Sequence, residues 1–268
     1  MRNVKSSLGA ILLISAAFGL TGCQEKINYL RARGQLNEGV KSFTAANYPI
    51  AVDYFTKAIE LDPELIDAMS YRAYSYMMQY IPGGESDENR KLAQQALDGF
   101  ADVLGMDEKN QLALQSIASL YFNMSEMELS KESYQKLLAK HPDNKEALYT
   151  IGVINWTQTY QPRIEVRASL GMKPEDPGPI NDKEAREELA LENLPLIEEG
   201  LDALMKAIEI DPDYDDAMAY VNLLYRERAD LGESKEEYDQ YSMMADQMVQ
   251  KALDTKKRKA EAGMQEAF

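Results

Sequence analysis

The stretch Ala51–Pro63 (A-V-D-Y-F-T-K-A-I-E-L-D-P) constrains this chain most. Ala51, Phe55 and Ala58 fall at i, i+4 and i+7, on one face of a helix. Asp62-Pro63 then stops that helix, because the residue before a proline is pushed out of the α region. The ending returns as Lys206–Pro212 (K-A-I-E-I-D-P) and as Leu137–Pro142 (L-L-A-K-H-P). A degenerate copy, Val103–Glu108, has Glu108 where the proline would stand. A recurring unit of this size predicts stacked pairs of helices.

Composition agrees. Ala, Leu, Glu, Lys and Met are plentiful and β-branched runs are few, which points to an all-α fold. A hydrophobic content of 45% argues against wholesale disorder. The formal net charge of −16 over 268 residues argues against nucleic acid as a partner, since phosphates need a clustered basic surface. Cys23 is the one cysteine, so no internal disulfide forms. His141 is the one histidine, and the usual zinc sets need several Cys or His ligands. A Ser/His/Asp device has only His141 to build on, and no nucleophile-elbow pattern accompanies it. No catalytic residue, metal site or cofactor is predicted. Paired carboxylates such as Glu187-Glu188 and Asp215-Asp216 read as solvated surface in so acidic a chain.

The amino terminus carries Arg2 and Lys5, then the apolar stretch Leu8–Leu20, of signal-peptide rather than membrane-spanning length. It ends in Leu20-Thr21-Gly22-Cys23, which resembles the lipobox of bacterial lipoproteins. The resemblance implies cleavage before Cys23 and acylation of Cys23, giving a signal peptide over 1–22 and a lipidated spacer over 23–31. The other reading is an ordinary secretory signal with an incidental cysteine. Gln24 stands where Asp often signals inner-membrane retention in the Gram-negative family, which favours the outer membrane, facing the periplasm. Removing 1–22 takes away two basic groups and no acid, leaving 27 basic against 45 acidic residues, a net of −18. A body so acidic is repelled by anionic lipid, so attachment is expected through the lipid.

The repeats resemble the tetratricopeptide repeat (TPR), a 34-residue helix–turn–helix unit with small residues where its helices cross. Aligned on those positions, about five repeats span 32–262, followed by a tail over 263–268. The first, 32–65, has Gly39, Ala51 and Ala58 as small residues, with Ala46-Asn47-Tyr48 as its turn. The second, 66–110, has Ala73 and Ala96 and a loop at Ile81–Asn89 between helices Ile66–Tyr80 and Arg90–Leu104. The third, 111–144, is the most regular. The fourth, 145–212, starts well at Leu148, Ile151 and Gly152 and is then interrupted over about 157–193. There Gly171–Pro179 holds three prolines and two glycines within nine residues, a stretch that cannot be helix. The insert either loops freely or hides a helical pair, Arg163–Leu170 and Lys183–Asn193, with Pro195 opening the next helix, Pro195–Ile210. The fifth, 213–262, pairs Asp215–Ala229 with a long polar helix, Lys235–Ala260, that caps the stack. Lys256–Lys259 (K-K-R-K) reads as favourable charge at that helix's C-terminus.

In the TPR family the first helix of each unit lines a concave face. The resemblance places Phe43, Tyr74, Met77, Phe122, Tyr149 and Trp156 there, an aromatic set of the kind enriched at binding hot spots. A groove of this kind suits an extended peptide or an amphipathic helix. The alternative is that these side chains pack inside the repeats or under the inserts. The insert after Trp156 is either a loop folded back over a helix or a specificity element for a partner. The Lys, Arg and Asn ring with which some TPR domains clamp a peptide carboxylate is missing from these positions.

The expectation is a non-enzymatic TPR lipoprotein, tethered by Cys23 to the bacterial envelope and acting as a scaffold or adaptor for envelope proteins. It resembles the TPR lipoproteins of outer-membrane barrel assembly and of pilus-secretin piloting. The alternative is a solute-binding lipoprotein that holds a small ligand in the aromatic groove for a transporter.

Overall fold

A computed structural model describes residues 7–173 and 176–266, with side chains described over 24–173 and 176–262. The described residues form ten α-helices and no strand: α1 Ser7–Thr44, α2 Tyr48–Leu61, α3 Ile66–Met77, α4 Asp87–Met106, α5 Gln111–Asn123, α6 Met127–Lys140, α7 Lys145–Ser169, α8 Lys183–Ile210, α9 Asp215–Asp230 and α10 Lys235–Glu266. They fall into two compact units, one running up to Glu126 and one from Met127 onward. The boundary lies inside the third predicted repeat, with α5 in the first unit and α6 in the second.

The repeated ending does stop helices, and the aspartate does as much as the proline. Asp62, Asp107 and Asp211 leave the helix in extended backbone while their N–H groups still donate to the carbonyls of Ala58, Val103 and Ala207. Each carboxylate then accepts from the N–H two residues on: Glu64, Lys109 and Asp213. This Asx turn offers the backbone an alternative to further helix. It explains why α4 stops at Met106 although Glu108 replaces the proline.

Three helices, α1, α5 and α7, end in a left-handed residue: Ala46 (φ 59°), Ser125 (φ 62°) and Gly171 (φ 71°). At each end two N–H groups reach back in the 5→2 and 6→1 pattern. Ala46 and Asn47 donate to Phe43 and Ser42, Ser125 and Glu126 to Phe122 and Tyr121, and Gly171 and Met172 to Ala168 and Arg167. Only Gly171 adopts this conformation without a Cβ penalty.

Small residues let paired helices approach. Ala51, Phe55 and Ala58 of α2 are fully buried and pack with Ala32 and Leu36 of α1. Fully burying a side chain such as Phe55 contributes about 1.5–3 kcal/mol. A Cβ on Gly39 would strike the Phe55 ring, and one on Gly152 would strike Leu204 of α8. In the next pair, Ala73 of α3 packs with Ala96, Phe100 and Val103 of α4.

The loop between α3 and α4 breaks the period without loosening the fold. Asn89 is buried, donates from Nδ2 to the carbonyls of Ile81 (2.8 Å) and Gly84 (2.9 Å), and accepts at Oδ1 from the Ile81 N–H (2.8 Å). Ser86 caps α4 by accepting from the Asn89 N–H.

The second insert corrects the expectation of a separate helical pair. Both arms of the fourth repeat are lengthened instead. α7 runs on through Pro162 and α8 through Pro195, so neither proline bounds a helix. Proline removes one helical hydrogen bond, and packing along the hairpin outweighs that loss. Two buried asparagines bond the arms: Asn155 Nδ2 donates to the Leu196 carbonyl (2.9 Å), and Asn193 Nδ2 to the Thr159 carbonyl (3.0 Å). Pro162 lacks the N–H that would bond the Gln158 carbonyl, and the Thr159 carbonyl beside it accepts from Asn193 across the hairpin. Lys145 at the start of α7 pairs with Asp211 just past the end of α8 (2.6 Å), as an antiparallel pair requires.

The Lys256–Lys259 cluster is also corrected. It lies inside α10, which continues to Glu266. Arg258 pairs with Asp213 and Lys259 with Asp215, at the start of α9. The bond to Lys259 lowers the Asp215 pKa and raises that of Lys259. The cluster therefore staples the last two helices together at a helix N-terminus. Ala245 and Thr255 are buried, while Met243 and Leu253 stay exposed. His141 sits half-buried in the turn after α6.

Candidate functional site

The six sequence-predicted binding residues are all half-buried. In the first unit, Phe43 meets Tyr48 and Tyr71 edge-on, with ring centroids 5.4 and 5.5 Å apart. Tyr74 meets Phe100 edge-on at 5.0 Å, and its hydroxyl shares a 2.9 Å hydrogen bond with Ser116. Met77 packs at the margin of the same core cluster. Phe122 lies on α5, apart from these contacts. These four are not brought together as one patch within the unit.

In the second unit, Tyr149 and Trp156 belong to a continuous aromatic row. Tyr149 packs on Tyr214 (5.2 Å) and Tyr220 (5.6 Å), and Tyr220 packs edge-on to Trp156 (5.5 Å). Trp156 in turn packs on Tyr160 (5.2 Å). Lys145 closes one end over Tyr214, and Arg163 closes the other over Tyr160. The spacing 145, 149, 156, 160, 163 keeps all five on one side of α7. Edge-to-face contacts and cations over ring faces follow from the ring quadrupole. Burial, with Tyr220 and Asp216 nearby, pushes the Tyr149 hydroxyl up to about 12, so it stays a neutral donor. Tyr160 is the most exposed ring of the row.

Beneath the Arg163 end lies a buried ionic cluster that the sequence reading missed. Arg163 contacts Glu227 (2.8 Å) and Asp230 (2.6 Å), and Arg167 contacts Asp230 (3.0 Å). Arg167 and Glu227 are 2% and 1% exposed. The Arg163–Glu227 contact is an ion pair outside hydrogen-bond geometry. Burial pushes the Glu227 carboxyl up to about 7, although Arg163 opposes the shift. Arg167 also donates to the carbonyls of Lys173 (2.9 Å) and Asp176 (2.7 Å). The Ile180 N–H donates to the Asp230 carbonyl, and the Ile180 side chain is fully buried. The loop after α7 is thus folded back onto the end of α9. The signal available in sequence was an Arg pair at i, i+4 facing an acid pair at i, i+3, more than 60 residues away.

The Cys23 side chain lies outside those described; its backbone is part of α1. Among the described residues, no helix is long and apolar enough to cross a membrane, and no group of three or more His, Cys, Asp or Glu is placed to hold a metal.

No known family profile matches the chain, and no curated protein matches it. Solved structures do. The crystal structure of MamA protein shares 17% identity over 86% of this chain and 94% of that one, with a TM-score of 0.55. The MamA 41-end structure from Desulfovibrio magneticus RS-1 shares 13% over 85% and 96%, with a TM-score of 0.56. YrrB, described as a TPR protein with an unusual peptide-binding site, shares 15% over 83% and 90%, with a TM-score of 0.48. The likeness to the two MamA structures shows the fold, a TPR-like all-helical series of helical hairpins.

Proposed function

We propose that this protein is a scaffold for protein–protein interactions, held to a bacterial envelope membrane by lipidated Cys23 and facing the periplasm. The observation that carries the scaffold reading is the aromatic row of the second unit, Tyr149, Trp156, Tyr160, Tyr214 and Tyr220, seated on the first helices of successive hairpins. Aromatic anchors on a rigid helical frame bind extended or helical peptide at low entropic cost. The lipobox, Leu20–Cys23, carries the tether. Assembly of outer-membrane or secretion machinery is the role such a tethered scaffold fits.

The rival reading is a solute-binding lipoprotein that holds a small ligand in the aromatic groove; a closed cavity beneath the insert would favour it, and buried side chains occupy that place. Arg167 and Ile180 fill the space beneath the loop and are themselves buried. The test is affinity purification of the full chain from crosslinked envelopes, beside a Trp156→Ala variant. Discrete proteins recovered near stoichiometry, and lost with Trp156→Ala while helicity is kept, support the scaffold. A co-purified small molecule with no protein partner overturns it.

A further inference from the structure

The middle of α1, over residues 24–34, holds an apolar face that the repeats do not use. Ile27 and Leu30 are 43% and 68% exposed, while Ala32 and Leu36 are buried against α2. At 3.6 residues per turn, positions 27 and 30 lie about 40° and 20° to either side of position 23. Positions 32, 36 and 39 lie about 160–220° away, on the opposite side of the helix. Lys26 falls along one flank of the apolar face and Arg31 along the other, about 60–80° out, while Arg33 pairs with Asp67 of α3 (3.2 Å). Gly34 continues the face, and a Cβ there would meet nothing. Between Gln24 and Gly34 there are three cations and one acid, Glu25, in a chain that is otherwise strongly acidic.

We infer that this segment is a membrane-interface helix: α1 lies along the bilayer with Ile27 and Leu30 immersed, Lys26 and Arg31 at anionic headgroups, and Ala32, Leu36 and Gly39 holding the first hairpin above. The inference rests on the reading of Cys23 as lipidated, because the register puts position 23 on the same side as Ile27 and Leu30. Charge complementarity selects the occupant. The local excess of cations suits anionic lipid, and basic residues flanking an apolar stripe mark helices that lie in the interface. α1 continues without a break from position 23 into the first hairpin. The lipid would therefore fix the orientation of that hairpin rather than leave it on a loose leash. Cys23, Ile27, Leu30 and Gly34 span about 16 Å of helix, enough to lie flat under the headgroups.

The test uses the full chain, produced in a bacterium with lipoprotein processing and reconstituted into vesicles of phosphatidylethanolamine and phosphatidylglycerol with brominated acyl chains. Trp156→Phe removes the one native tryptophan, and Leu30→Trp or Leu191→Trp then reports a single position; Leu191 is an exposed residue of α8. The inference predicts blue-shifted emission and at least about threefold stronger quenching for Leu30→Trp than for Leu191→Trp, the depth of an interfacial apolar face being about 5–10 Å. Equal quenching in protein that stays on the vesicles overturns the inference and leaves the anchor standing. A blue shift without lipid quenching, accompanied by crosslinked dimers, overturns it in favour of a second copy covering the face. Protein that carries no diacylglycerol at Cys23 by mass spectrometry and does not join the vesicles overturns the anchor and this inference together.

Discussion

The two breaks in the repeat are closed by the same device in different chemistry. The loop after α3 is tied by Asn89, and the loop after α7 by Arg167; each buried side chain gathers carbonyls of its own loop. Asn89 is neutral and completes its bonds within one hairpin. Arg167 carries a charge that must be balanced, and Asp230 on α9 balances it together with Arg163. The neutral tie is local. The charged tie couples its loop to the next repeat and brings a carboxyl, Glu227, whose ionisation opposes burial. A charge buried in a repeat protein thus becomes a fastening between units of the stack, at the cost of sensitivity to pH.

The largest expected effect is on the charged tie. Asp230→Ala leaves two buried guanidinium groups facing Glu227 alone, and should destabilise the second unit by about 3–5 kcal/mol in urea unfolding. A loss below about 1 kcal/mol would show that water, not Asp230, balances those charges. Asn89→Ala removes three hydrogen bonds and strands the Ile81 N–H, with an expected loss of about 2 kcal/mol confined to the first unit. If the two losses match in size and pH dependence, the distinction between the ties fails.

The pH dependence sharpens the same comparison. Glu227 has a folded pKa of about 7 against an ordinary 4.5. Its contribution to stability is therefore fully present below about pH 4.5 and is lost as pH rises through 7. The second unit should lose on the order of 2–3 kcal/mol across that window from this group. Glu227→Gln should flatten that slope, and an unchanged slope would place its origin elsewhere. The smallest effect concerns the turns. Ala46→Gly should gain about 0.5 kcal/mol by relieving a left-handed alanine, whereas Gly171→Ala, at a similar φ, should lose about 1 kcal/mol. Thermal melts of the two variants moving in the same direction would contradict this.

Much of the scaffold is legible in local sequence. Helix ends at Asp62, Asp107 and Asp211 follow from a side chain two residues away from its partner, and the small residues Gly39, Ala73 and Gly152 mark helix crossings by spacing alone. Pro162 and Pro195 mislead because their local rule is a preference of a few kcal/mol, which a long hairpin bonded by Asn155 and Asn193 overrides. Arg167 and Asp230 are invisible as a pair because only the fold brings them together. Of the candidate site, Tyr149 and Trp156 could be placed by repeat position. Tyr160, Tyr214 and Tyr220, which complete their row, depend on the unforeseen extension of α7 and on how α9 packs against it.

The claim that the aromatic row meets a protein partner is tested most directly by photo-crosslinking in living cells. A benzoylphenylalanine at position 160, the exposed end of the row, is compared with one at position 191, exposed on α8. The scaffold reading predicts discrete, heavier protein adducts from position 160 that are absent from position 191 and lost with Trp156→Ala. Identical adduct patterns from both positions, or none from position 160 in correctly folded protein, would contradict it.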